Sequence, residues 1–221
     1  YEIDAKVRRQ RKTETKPAVD GTSLETNLDP LLSQVAYQAL GEQRGSVVIA
    51  DAATGHILSL VNKPAFDPNV FTFLHPLQDE AARQEASAQI KTWFNDEHQP
   101  FFNRAVSGQY PPGSVFKLIT ALAGLETDAI QPDTTVLDEG ILKVGEYEYA
   151  NWYFTQHGRT EGEINLVRAL ARSNDIYFYK TAEWIGPTRL AEMSRVFGLG
   201  GEVGIEVGPE ATGLVPDPAW K

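Results

Sequence analysis

The sequence predicts an α+β fold in which a helical subdomain accompanies an antiparallel sheet, and three observations support this. The β-branched runs "GSVVIAD" and "HILSLVN" flank the turn "AATG" and indicate a hairpin. The patterns follow the order strand, helix, hairpin and then further helices, which is typical of folds that segregate helices from an antiparallel sheet. Apolar residues make up 42% of the 221-residue chain, which is enough for a hydrophobic core. Because one hairpin is only part of such a sheet, we expect the fold to be incomplete in this chain.

Charge and cysteine content exclude several functions. The net charge is −10 and the pI is about 4.9, which argues against general nucleic-acid binding. A single basic cluster, expected to be a solvated strand or arm, comprises Lys6, Arg8, Arg9, Arg11, Lys12 and Lys16. Cysteine is absent, so the chain has no disulfide, thiolate metal site or cysteine nucleophile. No apolar run approaches the ~18 residues that a membrane-spanning helix needs.

The first half of the chain alternates strand and helix patterns. "YEIDAKVRRQ" alternates weakly, as an exposed strand does, and "KPAVDG" is turn-like. A helix is predicted from Pro30, with Asp29 as its cap and Gly41 at its end. Its predicted apolar face comprises Leu31, Leu32, Val35, Ala36, Ala39 and Leu40. The run Val47–Ile49 predicts a strand buried on both faces, and "DEAARQEASAQIKTWF" predicts a second helix.

In the second half, an irregular, turn-rich segment is predicted over residues 127–163. Three helices follow it: "INLVRALARS" with Asn165 as its cap, "NDIYFYKTAEWIG" and "PTRLAEMSRVFG". The inward residues of the last two are predicted to be Phe178, Tyr179, Ala182, Ile185, Leu190, Met193 and Phe197. The stretch from Gly200 onwards is predicted to be loop.

The segment "YPPGSVFKLITALAGLE" places Ser114 at the start of an apolar helix, with Lys117 three residues later on the same face. The predicted buried side of this helix comprises Leu118, Ala121, Leu122 and Leu125. Burial disfavours the charged form of an amine, and a neutral amine beside a hydroxyl is a general base beside a nucleophile. The helix N-terminus would stabilise an oxyanion, and Gly113 would leave room for a substrate. The alternative is a serine N-cap with an exposed lysine.

Longer stretches around this motif resemble the penicillin-binding proteins, the serine transpeptidases that cross-link bacterial peptidoglycan. "YPPGSVFKLITALAGLE" resembles their active-serine segment, and "GSVVIADAATGHILSLVNKPAFDPNVF" resembles the hairpin of the class B members. The resemblance extends to "FFNRAVSGQYPPGS", "INLVRALARSNDIYFYKTAEWIG" and "GLVPDPAWK". Within class B the chain most resembles the elongation-type penicillin-binding protein 2, because of the Ser-Asn-Asp sequence at residues 173–175 and "FYKTA".

This resemblance implies a role for each matching residue. Ser114 resembles the nucleophile that attacks the penultimate D-Ala carbonyl of a stem peptide, which releases D-Ala and leaves an acyl-enzyme. Lys117 resembles the base that accepts its proton. Ser173 resembles the hydroxyl of the second motif, which links Lys117 to the leaving nitrogen and relays the proton.

Substrate contacts are expected from Gly113, Asn174 and Asp175. Many relatives carry Asn where this chain has Asp175, whereas elongation-type members often carry Asp. A carboxylate beside Lys117 would favour the ammonium and oppose its role as base, so Asp175 is expected to face the substrate or a third group instead. The alternative is that Asp175 caps the helix that it opens.

The third motif of the family, Lys-Thr-Gly or Lys-Ser-Gly on a strand at the far wall of the cleft, is absent from these 221 residues. "KTA" at residues 180–182 lies in a helical pattern and does not match it. The resemblance implies that this motif follows residue 221 and that a membrane anchor precedes residue 1. Residues 1–20 are expected to be the tail of a non-catalytic pedestal domain, and residues 21–221 the N-terminal part of the transpeptidase domain. We expect these residues alone to bind fluorescent penicillin poorly.

The resemblance also implies ligands, partners and a location. Stem peptides ending in D-Ala-D-Ala and β-lactam antibiotics are the expected ligands, and a membrane glycosyltransferase of the elongation machinery is the expected partner. The catalytic domain is expected on the periplasmic side of the bacterial cytoplasmic membrane. No cofactor, metal or nucleic acid is expected, and a lone His157 is a poor metal site. Two other functions stay open, a class D-like β-lactamase and a non-catalytic β-lactam-sensing domain.

Overall fold

The computed structural model describes residues 19–75 and 78–220, together with the backbone of Glu2–Ile3 and Arg9–Arg11. Those two short segments are strands β1 and β2, which pair antiparallel. The single strand predicted there is therefore a strand pair. The side chains of the predicted basic cluster and the first half of the predicted "KPAVDG" turn, residues 16–18, lie outside the described residues.

Helices and short antiparallel strand pairs make up the described part of the chain. The helices are α1 (Pro30–Ala39), α2 (Glu80–Asn95), α3 (Arg104–Ser107), α4 (Lys117–Glu126), α5 (Trp152–His157), α6 (Leu166–Arg172), α7 (Asp175–Ile185) and α8 (Pro187–Val196). The remaining strands are β3 (Gly45–Ala50), β4 (Ile57–Lys63), β5 (Thr135–Asp138), β6 (Ile141–Val144), β7 (Tyr147–Ala150) and β8 (Gly162–Asn165). Two 3₁₀ helices span Pro68–Leu74 and Gly113–Phe116.

The hairpin and the helix before it form as predicted. Asp29 caps α1 by accepting from the backbone N–H groups of Leu31 and Leu32, and β3 pairs with β4 in the register Val47↔Val61. Helix α1 packs against β4. The prediction that β3 is buried on both faces is wrong, because Val48 is 48% exposed. The predicted apolar face of α1 is also largely exposed, since Ala36 is its buried residue.

The main core lies between α4, α6, α7 and the pair β5–β8. Its buried members are Ala121, Ile130, Val136, Ile164, Leu166, Ala169, Ile176, Tyr177 and Phe178. A smaller cluster beneath α2 comprises Val70, Ala86, Ile90 and Trp93, and the rings of Phe66, Phe71 and Phe101 pack around that tryptophan. The helical subdomain therefore has its own hydrophobic core, on which α4 and α7 meet.

The segment over residues 127–163 is not irregular, contrary to the prediction. β5 pairs with β8, β6 pairs with β7, and α5 lies between these strands in the chain. Each strand has four residues, and Gly140 and Gly145 turn the chain with positive φ angles. Because these strands are short and glycines separate them, they show too little alternation of apolar and polar residues to be predicted from the sequence.

The buried faces of three helices differ from the predicted ones. Helix α4 buries Thr120, Ala121, Ala123 and Gly124, whereas Leu118 and Leu122 are exposed. Helix α7 buries Tyr177 instead of Tyr179, and α8 buries Ala191 and Ser194, whereas Phe197 is exposed. Small residues allow α4 to approach its neighbours closely, so its contact face is not its most apolar face.

The described residues contain no helix that is both long and apolar enough to cross a membrane. From Gly201 to Trp220 the chain has neither helix nor strand, as predicted. This segment is organised by Glu210, whose carboxylate accepts from the backbone N–H groups of Val203, Gly204 and Ile205.

Candidate active site

Ser114 lies in the 3₁₀ turn Gly113–Phe116, immediately before α4. Gly113 has a φ of +57°, a left-handed conformation that glycine adopts at little cost, and the space beside its Cα is open. Ser114 is exposed, and no side chain caps α4 or the 3₁₀ turn. The alternative of a serine N-cap is therefore wrong.

Lys117 is the first residue of α4, and its side chain is 12% exposed. Its Nζ atom lies 2.7 Å from the carbonyl oxygen of Ser173, 3.1 Å from Ser173 Oγ and 2.6 Å from Asp175 Oδ1. Three acceptors thus match the three N–H donors of a lysine ammonium. The alternative of an exposed lysine is wrong as well.

Ser173 joins the nucleophile candidate to the lysine. Its Oγ donates to Ser114 Oγ at 2.9 Å and accepts from Lys117 Nζ. Ser173 ends α6 in a left-handed conformation, with φ of 49° and ψ of 44°, which is uncommon for a residue other than glycine. This conformation lets both its carbonyl and its hydroxyl contact Lys117. Ser114 and Lys117, which the sequence places close together, are therefore connected through the Ser173 hydroxyl.

Asp175 faces Lys117, so the prediction that it faces the substrate or a third group instead is wrong. Its Oδ1 pairs with Lys117 Nζ, and its Oδ2 accepts from the backbone N–H of Trp152 at 2.9 Å. The alternative of an aspartate cap is also wrong, because Asn174 is the N-cap of α7 and Asp175 is its first residue.

Asn174 is fully buried, although it was expected to contact the substrate. Its Oδ1 accepts from the backbone N–H of Tyr177 at 2.9 Å, and its Nδ2 donates to Asp138 Oδ2 at 2.8 Å. Both ends of the amide are thus used inside the fold. Gly113, by contrast, lies at the exposed start of the 3₁₀ turn, beside Ser114.

Two further residues support the site and were missed at the level of sequence, namely Asp138 and Asn151. Both are buried, and Asn151 Oδ1 accepts from the backbone N–H of Asp175 at 3.2 Å. The one local signal was "DEG", which reads as a turn and gives no hint of burial. Within the described ranges, no group of three or more His, Cys, Asp or Glu side chains could hold a metal ion.

An apolar cavity of about 1350 Å³ lies beside the site but does not contain its reactive groups. Tyr110, Pro111 and Phe116 line it on one side, and the loop around Val215 lines it on another. Ser114, Lys117 and Ser173 are not among its lining residues. The candidate site therefore lies on the surface where α4 meets the α6–α7 junction, where the Ser173 hydroxyl contacts both the Ser114 hydroxyl and the Lys117 amine.

Comparison with known proteins shows the family of this chain. A family model for the penicillin binding protein transpeptidase domain matches residues 45–221. Peptidoglycan D,D-transpeptidase MrdA of Acinetobacter baumannii is 33% identical over this whole chain, which covers 31% of that protein. The chain spans about a third of the length of the MrdA relatives that it matches.

Solved structures agree in fold. Pseudomonas aeruginosa PBP2 in complex with WCK 5153 has a TM-score of 0.73 and 33% identity, over 88% of this chain and 41% of that chain. A chain of a peptidoglycan synthase complex that coordinates polymerization and crosslinking has a TM-score of 0.75 and 29% identity, over 99% of this chain and 39% of that chain. These likenesses confirm the predicted α+β transpeptidase fold. The chain belongs to the penicillin-binding protein transpeptidase domain family, and its relatives are of the penicillin-binding protein 2 type.

Proposed function

We propose that the protein is a peptidoglycan D,D-transpeptidase, which cross-links stem peptides through a serine acyl-enzyme and is acylated by β-lactams. The observation that carries this proposal is the line of contacts from Ser114 through Ser173 to Lys117. A hydroxyl with a positioned relay and an amine suits acyl transfer. Family membership and the likeness to MrdA support the same reaction.

Ser114 is the proposed nucleophile and Lys117 the proposed base. In acylation, Ser114 Oγ bonds to the carbonyl carbon of the penultimate D-Ala, while its proton passes through Ser173 Oγ to Lys117 in its unprotonated form. The C–N bond to the terminal D-Ala then breaks, and the leaving nitrogen receives a proton through Ser173. Positioned proton transfer of this kind contributes roughly 10²–10⁴-fold to the rate.

The second half-reaction completes the cross-link. An amine of a neighbouring stem peptide attacks the ester carbonyl carbon and loses a proton to the Ser173–Lys117 relay. The C–O bond to Ser114 breaks, and the relay passes that proton to Ser114 Oγ. A β-lactam takes the place of D-Ala-D-Ala in the first step, but its leaving nitrogen stays tethered to the acyl group. The resulting ester persists on Ser114.

Asp175 is proposed to hold Lys117 and not to bind the substrate. Both of its oxygens already have partners, Lys117 Nζ and the backbone N–H of Trp152. One N–H of the Lys117 side chain therefore points to Asp175 and not to Ser173. The Ser173 hydroxyl donates its own proton to Ser114 Oγ. Asn174 is proposed to anchor α7, and Gly113 remains the proposed substrate contact because the space beside it is open.

Labelling of the full-length protein with fluorescent penicillin tests the proposal. Wild-type protein should form a stable adduct, and Ser114→Ala should abolish it. Ser107→Ala is the matched control, since Ser107 also precedes α4 but donates its hydroxyl to the carbonyl of Pro209. This control should label normally. Labelling of Ser114→Ala at the wild-type level would refute the assignment.

Product analysis separates the transpeptidase from the two other functions. With paired stem peptides, a transpeptidase releases D-Ala and yields a cross-linked dimer, whereas a β-lactam sensor is acylated but yields no dimer. With nitrocefin, a transpeptidase is acylated once and slowly, whereas a β-lactamase turns over rapidly. Rapid nitrocefin turnover without a peptide product would favour the β-lactamase.

The remaining expectations about the whole protein are proposed on the same basis. Residues 21–221 are proposed to belong to the transpeptidase domain, which the family match over residues 45–221 supports, and residues 1–20 to a preceding pedestal domain. The protein is proposed to act on the periplasmic side of the cytoplasmic membrane, beside a membrane glycosyltransferase. The likeness to a chain of a peptidoglycan synthase complex supports this partnership.

A further inference from the structure

We infer that Asp138 is a positioning residue for acylation, because its buried carboxylate holds the backbone that places Asp175 and Ser173 against Lys117. The inference rests on the proposed function and extends it to a residue outside the serine–lysine and Ser-Asn-Asp motifs. Asp138 lies at the end of β5 and forms its hydrogen bonds with Gly140, Asn151, Glu161 and Asn174, not with Ser114, Ser173 or Lys117.

Four hydrogen bonds converge on this carboxylate, which is 1% exposed. Its Oδ1 accepts from the backbone N–H of Gly140 at 2.7 Å, and its Oδ2 accepts from the backbone N–H of Glu161 at 3.1 Å. The Nδ2 atoms of Asn151 and Asn174 each donate to Oδ2 at 2.8 Å. In every contact the donor belongs to the partner, and each of these donors is a neutral amide.

Asn151 and Asn174 connect the Asp138 carboxylate to the Ser-Asn-Asp motif at residues 173–175. Asn151 Oδ1 accepts from the backbone N–H of Asp175, and the next residue, Trp152, donates its backbone N–H to the Asp175 carboxylate. Asn174 follows Ser173 directly and caps α7. Hydrogen bonds therefore fix both the backbone nitrogen and the side chain of Asp175. The partners in these bonds are Asn151 and the adjacent Trp152, and Asn151 is itself bonded to Asp138.

A carboxylate is needed at this position because every neighbour donates. An asparagine at residue 138 would turn its own NH₂ group toward donors, which leaves buried N–H groups without partners. The two amides would lose their fixed orientation, and the start of α7 would shift relative to α4. A displacement of about 1 Å at reacting groups can cost about a hundredfold in rate.

The test compares Asp138→Asn and Asn151→Ala in the full-length protein. Asn62→Ala is the matched control, because Asn62 is also a bridging amide that donates to Asn103 Oδ1 and accepts from the backbone N–H of Ala105. Acylation by fluorescent penicillin is followed well below the unfolding temperature, and the non-covalent binding constant is separated from the acylation rate constant. We expect the rate constant to fall about tenfold to a hundredfold in both test variants, with binding unchanged. The control should lose stability alone.

Each outcome of this experiment either supports or overturns the positioning role of Asp138. Wild-type acylation in Asn151→Ala overturns the inference, as does an equal loss of rate in Asn62→Ala. If Asp138→Asn does not fold, Asn151→Ala decides alone, because it leaves Asp138 with its three other partners. A wild-type protein that forms no adduct at Ser114 defeats the proposed function itself, whereas normal wild-type labelling with unchanged variants defeats the positioning role alone.

Discussion

Gly124 controls how closely α4 approaches α7, and its replacement by alanine is the sharpest test of the packing. An added Cβ would lie 2.9 Å from Thr181 Cγ2 and 2.9 Å from Ile130 Cγ1, both closer than side chains tolerate. Neither neighbour can easily move. Thr181 is fully buried and donates its hydroxyl to the carbonyl of Tyr177, and Ile130 is buried with its own N–H bonded to Gly124.

Two opposing contributions set the magnitude. Alanine is favoured over glycine inside a helix by about 1 kcal/mol. Inserting a methyl group into a close-packed core costs typically 1–3 kcal/mol. Because both contacts involve tethered, branched side chains, we expect the upper part of that range. The net prediction for Gly124→Ala is a loss of about 1–2 kcal/mol in the free energy of unfolding.

Urea unfolding of the wild type, Gly124→Ala, Thr181→Ser and the double variant forms a cycle that isolates the clash. Thr181→Ser alone removes one methyl group, worth about 0.8 kcal/mol, and keeps the hydroxyl. The double variant should be more stable than the sum of the single losses predicts, by about 0.5 kcal/mol or more. A Gly124→Ala protein more stable than wild type, or strict additivity in the cycle, would refute the reasoning.

Two further predictions concern charged groups. Asp175→Asn leaves one acceptor for two donors, Lys117 Nζ and the Trp152 N–H, so the free energy of unfolding should fall by about 1–3 kcal/mol; an unchanged urea midpoint would contradict the pairing. The backbone N–H of Val203, with those of the two residues after it, lowers the pKa of the Glu210 carboxyl. A lowered pKa in the folded state means that this stabilisation is complete above the ordinary glutamate pKa and is lost on acidification. Glu210→Gln should therefore be less stable than wild type near neutral pH, and the difference should shrink as the pH falls; a constant difference in midpoint would contradict it.

Local features of the fold were predictable because short-range physics determines them. Asp29 caps α1, and Asn165 caps α6 by accepting from the N–H of Arg168, and both follow from residues within three positions. The β3–β4 hairpin follows from two β-branched runs and a four-residue turn. By contrast, β5 and β8 pair across more than twenty intervening residues, and nothing within either strand indicates the other.

Ser114 and Lys117 could be chosen from the sequence as the candidate nucleophile and base, because their spacing and the preceding Pro-Pro-Gly sequence lie within one short segment. Their contacts could not. Ser173 is 56 residues from Lys117 in the chain and Asp175 is 58, so their positions depend on how α4 packs against α7. The error over Asp175 arose from considering the charge of a single pair. The fold surrounds Lys117 with three acceptors and holds the carboxylate through Trp152.

The amino-acid sequence by itself determined which side chains are candidates for the reaction and where the helices near them begin, since caps, spacing and turn residues act over a few positions. Only the tertiary structure decided that the Ser173 hydroxyl lies between Ser114 and Lys117, and that the buried Asp138 carboxylate accepts hydrogen bonds from Asn151 and Asn174. The physical reason is that hydrogen bonds between distant segments exist only after close packing has brought small residues such as Gly124 and Ala121 into contact with their neighbours.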